Sequence, residues 1–204
     1  MRSHPLRWFP ASVCVLLLST GAAAQQSSIN PALRDAPGYK PLVDPESTSV
    51  RLGRRLNAPL VSMRFSDGAS SMEHLGRMLV HAIHHSSPDS LRRLCLTRAE
   101  FNEILWREFP QSRPVTGLHA DDAWFLLDAR LRGGVSKLLD EYAGQHLAFV
   151  RWDRTDTVAV FRNFRLHNGL SLVVRDESGR EVALPHVRAV AERKGQFKLQ
   201  SLRD

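Results

Sequence analysis

The chain has 204 residues, of which 43% are hydrophobic and 24% charged, and its formal net charge is +7. This length suits one domain or two, and the composition is that of an ordinary globular protein. With 12 glycines, 11 prolines and two cysteines, the chain is neither collagen-like nor disulfide-dense, and a single apolar run excludes a multi-span membrane protein. Its 28 basic residues are mostly arginines spread along the sequence, which argues against a nucleic-acid partner.

The N-terminus has the three parts of a secretory signal peptide. Arg2 and Arg7 give a basic start, an apolar stretch follows over 8–18, and Ala22-Ala23-Ala24 supplies the small residues of a cleavage site. The apolar stretch is shorter than the ~20 residues that span a bilayer, so an uncleaved anchor is the weaker alternative. We therefore predict cleavage between Ala24 and Gln25, export to the periplasm or the cell exterior, and no membrane span in the mature chain.

The next segment, 25–69, shows no sustained periodicity and contains five prolines. This composition predicts a flexible leader with at most one short strand near 60–65. The leader either spaces the domain from an envelope surface or has no role of its own. The folded domain is then predicted over 70–204, a size that is typical of one hydrophobic core.

Helix signals dominate the first half of the predicted domain. Ser70-Ser71-Met72-Glu73 and Thr97-Arg98-Ala99-Glu100 both match the capping box that opens a helix. Apolar residues at helical spacing follow each of them, and Gly133-Gly134 is expected to break or bend a later helical stretch. The predicted helices are 71–86, a short helix starting at Pro88, 97–108, 120–132 and 135–142.

After Gly144 the apolar periodicity changes to two, which is typical of strands. The predicted strands are 146–152, 157–167, 170–175, 181–192 and 196–202. Asn168-Gly169, Glu177-Ser178-Gly179 and Lys194-Gly195 favour hairpin connections, whereas Pro185-His186 marks a bulge or an edge. The order of elements predicts an α+β fold, in which N-terminal helices pack on a curved antiparallel sheet of four to five strands in the C-terminal half.

This order resembles the nuclear transport factor 2-like superfamily, a cystatin-like α+β cone in which N-terminal helices lie in a strongly curved sheet. The resemblance rests on the first helix at 70–85, the helical stretch 121–142, and the hairpins at Asn168-Gly169 and Lys194-Gly195. It implies either a binding module or an enzyme of the ketosteroid isomerase or dehydratase type. Only the short stretch 114–118 stands where the superfamily has a strand between early helices, so a helix-plus-meander domain outside the superfamily is the alternative.

The densest polar cluster in the chain contains His119, Asp121 and Asp122. Two neighbouring carboxylates beside an imidazole can raise one another's pKa, which suits a general acid or base. The same acidic residues also complement the dipole at a helix start, and adjacent helical positions point ~100° apart. These three residues are the candidate catalytic group, and helix capping is the alternative role. No catalytic residue of the superfamily can be aligned with them.

Candidate pocket residues are aromatic or polar side chains on the predicted helices and strands. They are Trp124, Asp128, His146, Trp152 and His186. His81 and His85 are four residues apart on a predicted helix and are close enough to share a metal ion, but two imidazoles are an incomplete site. No cofactor is predicted, because the sequence has no phosphate-binding Gly loop, nucleophile elbow or metal-binding Cys pair.

Removal of the predicted signal peptide leaves Cys95 as the only cysteine. Cys95 shares a helical face with Leu91 and Leu94, which predicts a small buried apolar residue. A reactive thiol and a disulfide-linked homodimer are the alternatives.

These patterns favour a non-catalytic exported module that binds a small apolar ligand or a partner protein. The first alternative is a small isomerase, dehydratase or hydrolase that uses Asp121 or Asp122 with a histidine. The second alternative is a module that holds an anionic envelope polymer on an arginine-rich surface. An enclosed pocket with a converging histidine and carboxylate would favour the enzyme, whereas a solid apolar interior would favour binding.

Overall fold

A computed structural model describes residues 44–203 of the chain. The helices are α1 (Ser47–Leu52), α2 (Met72–His84), α3 (Pro88–Arg93), α4 (Arg98–Glu100) and α5 (Ala120–Tyr142). α4 continues as a π-helical segment (Phe101–Leu105) and a 3₁₀ turn (Trp106–Glu108), and two further 3₁₀ turns follow (Pro110–Ser112 and Pro114–Thr116). Within residues 44–203, no helix has the length and apolarity needed to cross a membrane.

The starts of the helices show how local sequence sets the structure. Thr97 and Glu100 form the complete capping box that the sequence predicts at the start of α4. The box predicted at 70–73 is wrong by one position, because the capping residue is Ser71, whose Oγ accepts from the backbone N–H of His74 at 3.0 Å. Glu73 instead pairs with Arg77 at 2.5 Å, one turn further along α2.

α5 is one continuous helix of 23 residues, so the predicted break at Gly133-Gly134 is wrong. Gly134 has a packing role, since a Cβ at this position would overlap the Cβ of Leu202. Gly76 in α2 has the same role, because a Cβ there would overlap the ring of Phe149. These glycines let both helices lie unusually close to the strands.

Within the described residues, seven strands form two antiparallel sheets, neither of them closed. This confirms the α+β class but corrects the prediction of a single sheet of four to five strands. The strands are β1 (Ala148–Arg154), β2 (Val158–Val160), β3 (Arg165–Asn168), β4 (Leu170–Arg175), β5 (Glu181–Leu184), β6 (Val187–Arg193) and β7 (Gln196–Leu202). The predicted strand 157–167 divides around a turn at 161–164, and the predicted strand 181–192 divides at Pro185-His186. One sheet has the order β1-β4-β5 and the other β2-β3-β6-β7.

The chain crosses between the two sheets three times, at 155–157, at Asn168-Gly169 and at Pro185-His186. The predicted hairpin at Asn168-Gly169 is therefore wrong, since β3 and β4 do not pair. Gly169 has φ +61°, and its carbonyl oxygen accepts from the backbone N–H of Thr155 at 2.9 Å. The hairpin at Lys194-Gly195 is confirmed, with positive φ at both residues, as a primed turn between β6 and β7 requires.

Residues 44–69, which the sequence assigns to the leader, belong to the same compact unit as the helices and sheets. Ala58, Phe65 and Ala69 in this segment are buried, and Ala69 forms a backbone bridge with Phe197 of β7. The stretch 60–65 forms neither helix nor strand, so the short strand expected there is not present. The predicted signal peptide, its cleavage site at Ala24 and Gln25, and the leader as far as 43 lie outside the described residues.

Two buried carboxylates fasten this N-terminal segment and the strands to the region around α4. Glu100, fully buried, accepts from the backbone N–H of Ser66 at 2.6 Å and of Thr97 at 2.8 Å, and it pairs with buried Lys198 at 3.1 Å. Each oxygen of Glu100 therefore has more than one donor, which is the condition for a stable buried charge.

Glu108 is the second buried carboxylate. Its two oxygens accept from the backbone N–H groups of Arg162 and Asn163, at 2.5 and 2.6 Å, in the turn between β2 and β3. The buried guanidinium of Arg193 donates to the carbonyl oxygens of Asn163 in the same turn and of Met63 in the N-terminal segment. Burial lowers the pKa of Arg193, and the nearby charge of Glu108 opposes this shift.

The buried apolar side chains of the helices and of both sheets form one continuous cluster. It includes Leu75 and Ile83 from α2, Leu131 from α5, Leu172 from β4 and Leu199 from β7. The interior between helices and sheets is thus packed with apolar side chains.

Candidate functional site

The predicted catalytic group lies on the surface at the start of α5. Asp121 is bound by the guanidinium of Arg98 at 2.6 Å and by the side-chain amide of Asn102 at 3.0 Å. These hydrogen bonds, the one from Arg98 first, lower the pKa of Asp121 below its ordinary value. The direction is opposite to the raised pKa expected for a pair of carboxylates. Asp122 and His119 are exposed, and the His119 side chain does not cap the helix.

Three of the five candidate pocket residues have packing or pairing roles. Trp124 is half-buried, with its ring 5.8 Å from that of Phe101. Asp128 pairs with Arg92 at 2.8 Å and thereby joins α5 to α3. The indole N–H of Trp152 donates to the carbonyl oxygen of Met72 at 2.7 Å, which ties β1 to the start of α2.

His186, a fourth candidate, is buried at the opposite end of α5. Its Nε2 lies 3.3 Å from a carboxylate oxygen of Glu141, and its ring meets that of Tyr142 edge-on at 5.6 Å. Burial, followed by the Glu141 carboxylate, raises the pKa of Tyr142. At 1.5 Å per residue, α5 is about 34 Å long, so His186 and His119 lie at opposite ends of this helix. The structure thus keeps His119, Asp121 and Asp122 together at the start of α5 and places His186 far from them.

A second histidine–carboxylate pair was not singled out by the sequence. His167 Nε2 on β3 lies 2.8 Å from Glu192 Oε2 on β6, and Arg165 approaches the same carboxylate at 3.4 Å. Glu192 lies directly opposite Arg165 and diagonally across from His167 on the adjacent strand, a relation that requires the strand register to be known.

Four surface clefts can hold a ligand. One of about 580 Å³ is at the seam between the two sheets, and two of about 530 Å³ flank α2. The fourth, about 320 Å³, shares His146 and Leu147 with one of the clefts beside α2. Neither His186–Glu141 nor His167–Glu192 lines any of the four.

The fifth candidate, His146, lines the cleft between α2, β1 and the end of β4, which we call the α2–β1 groove. Val80, Leu147, Ala148 and Phe149 provide its apolar part. Its polar residues are Arg77, His81, His84, His146, Arg175, Asp176 and Glu177. The groove therefore combines an apolar floor with a rim of imidazoles and charges.

The histidines of this region form a chain of ring contacts. The ring centroids of His84 and His146 are 4.1 Å apart, those of His81 and His85 are 4.3 Å apart, and those of His84 and His85 are 4.9 Å apart. Among the residues that the structure describes, no three His, Cys, Asp or Glu side chains are grouped so that they can hold a metal ion. His81 and His85 thus remain a two-residue candidate.

Cys95 is buried, as the sequence predicts, with 2% of its surface exposed and its Sγ 3.5 Å from the carbonyl oxygen of Leu91. Burial raises the pKa of the thiol to about 12. A thiol in this environment is neither a nucleophile nor accessible to a second chain.

Comparison with protein-family models finds no family that matches the chain, and comparison with curated proteins and with solved structures finds no significant match either.

Proposed function

We propose that the protein is a non-catalytic binding module and that the α2–β1 groove takes a small apolar ligand. The observation that carries this proposal is the apolar floor of Val80, Leu147, Ala148 and Phe149 in an open cleft of about 530 Å³. This volume lies within the range of about 300–1,000 Å³ that is typical of small-molecule sites.

The position of the groove is set by close packing of α2 on β1. Phe149 lies against Gly76, and the indole of Trp152 is bonded to the carbonyl oxygen of Met72. Both contacts fix the floor on rigid elements, so a ligand does not have to order it. The imidazoles of His81, His84 and His146 supply hydrogen-bonding groups at the rim.

Binding of an uncharged apolar dye, N-phenyl-1-naphthylamine, tests this proposal. We expect its fluorescence to rise on binding to the full chain and expect Ala148→Trp, which fills the groove from an exposed position, to weaken binding about tenfold or more, a loss of ~1.4 kcal/mol. The matched control is Ala129→Trp, an exposed alanine on α5 that lines none of the four clefts. Equal dye affinity in the two variants contradicts the assignment, provided that circular dichroism shows both to be folded.

An acid–base enzyme is the second candidate, and the two histidine–carboxylate pairs favour it. The pair His167–Glu192, at 2.8 Å, has the geometry of a general base held by a carboxylate. We prefer the binding module because neither pair lines any of the four clefts, whereas a base must reach its substrate.

We also propose that the chain is exported through its signal sequence and that the mature protein begins at Gln25. Mass spectrometry of the protein recovered from the cell envelope or medium tests this, since retention of Met1–Ala24 contradicts it. Membership of the nuclear transport factor 2-like superfamily is a further proposal. The order of helices before antiparallel strands supports it, whereas the division into two sheets departs from the single curved sheet of that superfamily.

A further inference from the structure

The cleft at the seam between the two sheets, which we call the seam cleft, has a chemistry opposite to that of the α2–β1 groove. Its volume is about 580 Å³, and polar side chains dominate its lining. Its polar lining includes Thr155, Asp156, Asn168, Arg188, Gln200 and Arg203. All three crossings of the chain between the sheets border it, through Thr155-Asp156, Asn168-Gly169 and Pro185.

The strand register explains why the side chains of Arg188 and Gln200 both line the cleft. Val187 pairs with Leu202 and Ala189 with Ser201, so Arg188 is an extra residue on β6. Ala189 pairs with Ser201 and Val190 with Leu199, so Gln200 is an extra residue on β7. Successive bulges on facing strands thus place Arg188 and Gln200 in the same cleft. Bulges concentrate beside functional sites because they redirect a side chain out of the regular alternation.

The charge in the seam cleft is predominantly positive. Arg188 and Arg203 are exposed, and neither forms an ion pair with any residue in the described part of the chain. One acidic residue, Asp156, also lines the cleft, and its Oδ1 accepts from the backbone N–H of Thr157 at 2.7 Å. Two guanidinium groups therefore face one carboxylate.

The remaining lining indicates the rest of the ligand. Hydroxyls of Thr155, Ser171 and Ser201 and amides of Asn168 and Gln200 supply donors and acceptors for neutral polar groups. Guanidinium groups bind the oxygens of phosphates and carboxylates with paired hydrogen bonds. We propose that the seam cleft is a second binding site, for a hydroxylated oxyanion such as a sugar phosphate or an acidic sugar.

Titration of the full chain with glucose 6-phosphate and with glucuronate, followed by NMR at low ionic strength, tests the site and distinguishes phosphate from carboxylate ligands. We expect at least one of the two to bind, added NaCl to weaken the binding, and uncharged glucose to bind at least tenfold more weakly. Absence of binding by both anions, or equal binding of glucose, overturns the proposal.

Three variants locate the site. We expect Arg188→Gln and Arg203→Gln each to weaken binding of the anion about tenfold, the loss of one hydrogen bond to a charged group. Arg130→Gln removes the same charge from an exposed position on α5 and is expected to leave affinity within twofold of the parent. Equal losses in Arg130→Gln and Arg188→Gln show attraction to net charge only and overturn the site. The seam cleft shares no residue with the α2–β1 groove, so either proposal can fail alone.

Discussion

The carboxylates at the start of α5 and those around α4 have opposite environments. Asp121 and Asp122 are exposed, and the partners of Asp121 are the exposed Arg98 of α4 and the half-buried Asn102 of the π-helical segment. Glu100 and Glu108 are fully buried and accept backbone N–H groups from segments far apart in the sequence. The acidic residues of the densest polar cluster in the sequence thus lie at an exposed helix terminus. Glu100 and Glu108, which are isolated in the sequence, instead connect the N-terminal segment and the strands to the region around α4.

Alanine substitution of a buried glutamate near α4 should give the largest loss of stability. We expect Glu100→Ala to lower the free energy of unfolding by about 4 kcal/mol, because it leaves the ammonium of Lys198 buried without its partner. Glu103→Ala, three residues along and half-exposed, is the control and should cost less than ~1 kcal/mol. Urea denaturation measures both, and similar losses would break the comparison.

Glu108 offers a graded version of the same test. We expect Glu108→Ala to cost about 3 kcal/mol, because the N–H groups of Arg162 and Asn163 lose their acceptors. Glu108→Gln retains one acceptor oxygen and should cost about half as much. Equal losses of unfolding free energy in the two variants, which both lack the charge, would show that the charge of Glu108, rather than its hydrogen bonds, is required.

Burial of Cys95 makes stability depend on pH in the alkaline range. The thiol pKa is about 12 in the folded chain and near its ordinary value of 9.0 after unfolding, so above pH 9 the unfolded state loses a proton that the folded state retains. Stability contributed by this residue is therefore constant below pH 9 and falls by about 1.4 kcal/mol per pH unit above it, until pH 12.

Urea denaturation of the parent chain and of Cys95→Ala should be compared from about pH 8 to about pH 11, because the thiol of the unfolded chain titrates in this range. The difference in stability between the two chains isolates the effect of Cys95 from the titration of lysines and tyrosines. The parent should lose stability faster than the variant across that range. Parallel pH profiles would show that Cys95 is accessible to solvent in the folded chain.

The smallest effect is expected at the start of α5. Asp121→Asn keeps one oxygen for Arg98 or Asn102 and removes an exposed charge, so the midpoint of urea denaturation should not change measurably. The pKa of Asp121, lowered by Arg98, should return toward its ordinary value in Arg98→Gln, as NMR titration of the carboxyl group can show. A large loss of stability in Asp121→Asn would show that Asp121 contributes to stability as Glu100 and Glu108 are expected to do.

Local signals in the sequence predicted the parts of the fold that depend on neighbouring residues. The capping box at Thr97 and the primed turn at Lys194-Gly195 are both present, since each needs only a few consecutive residues. The turn at 161–164 was missed because Phe161 and Phe164, which have strand-like character, stack on one another inside it at 4.3 Å. Gly133-Gly134 does not end the helix as its sequence suggests. Glycine is required at Gly134 because a Cβ there would overlap Leu202, which lies on a distant strand.

The candidate site could be predicted only in fragments. His146 and His81 were named from the sequence and do line the α2–β1 groove, but its floor is formed by residues of ordinary apolar character. Arg188 and Gln200 reach the seam cleft through bulges, which shift register without a signal in the composition. The partner of Glu100 on β7 is 98 residues away, a separation that periodicity cannot reveal.

The three crossings of the chain interleave the two sheets along the sequence. β1 pairs with β4 across the inserted β2 and β3, and β3 pairs with β6 across the inserted β4 and β5. Neither sheet can therefore be assembled from an uninterrupted stretch of chain, and closing the loops of one sheet brings the strands of the other together. The C-terminal half should fold and unfold as one cooperative unit, slowly for its size because its strand pairings are non-local. A fragment that ends between β4 and β5 would lack strands from both sheets at once.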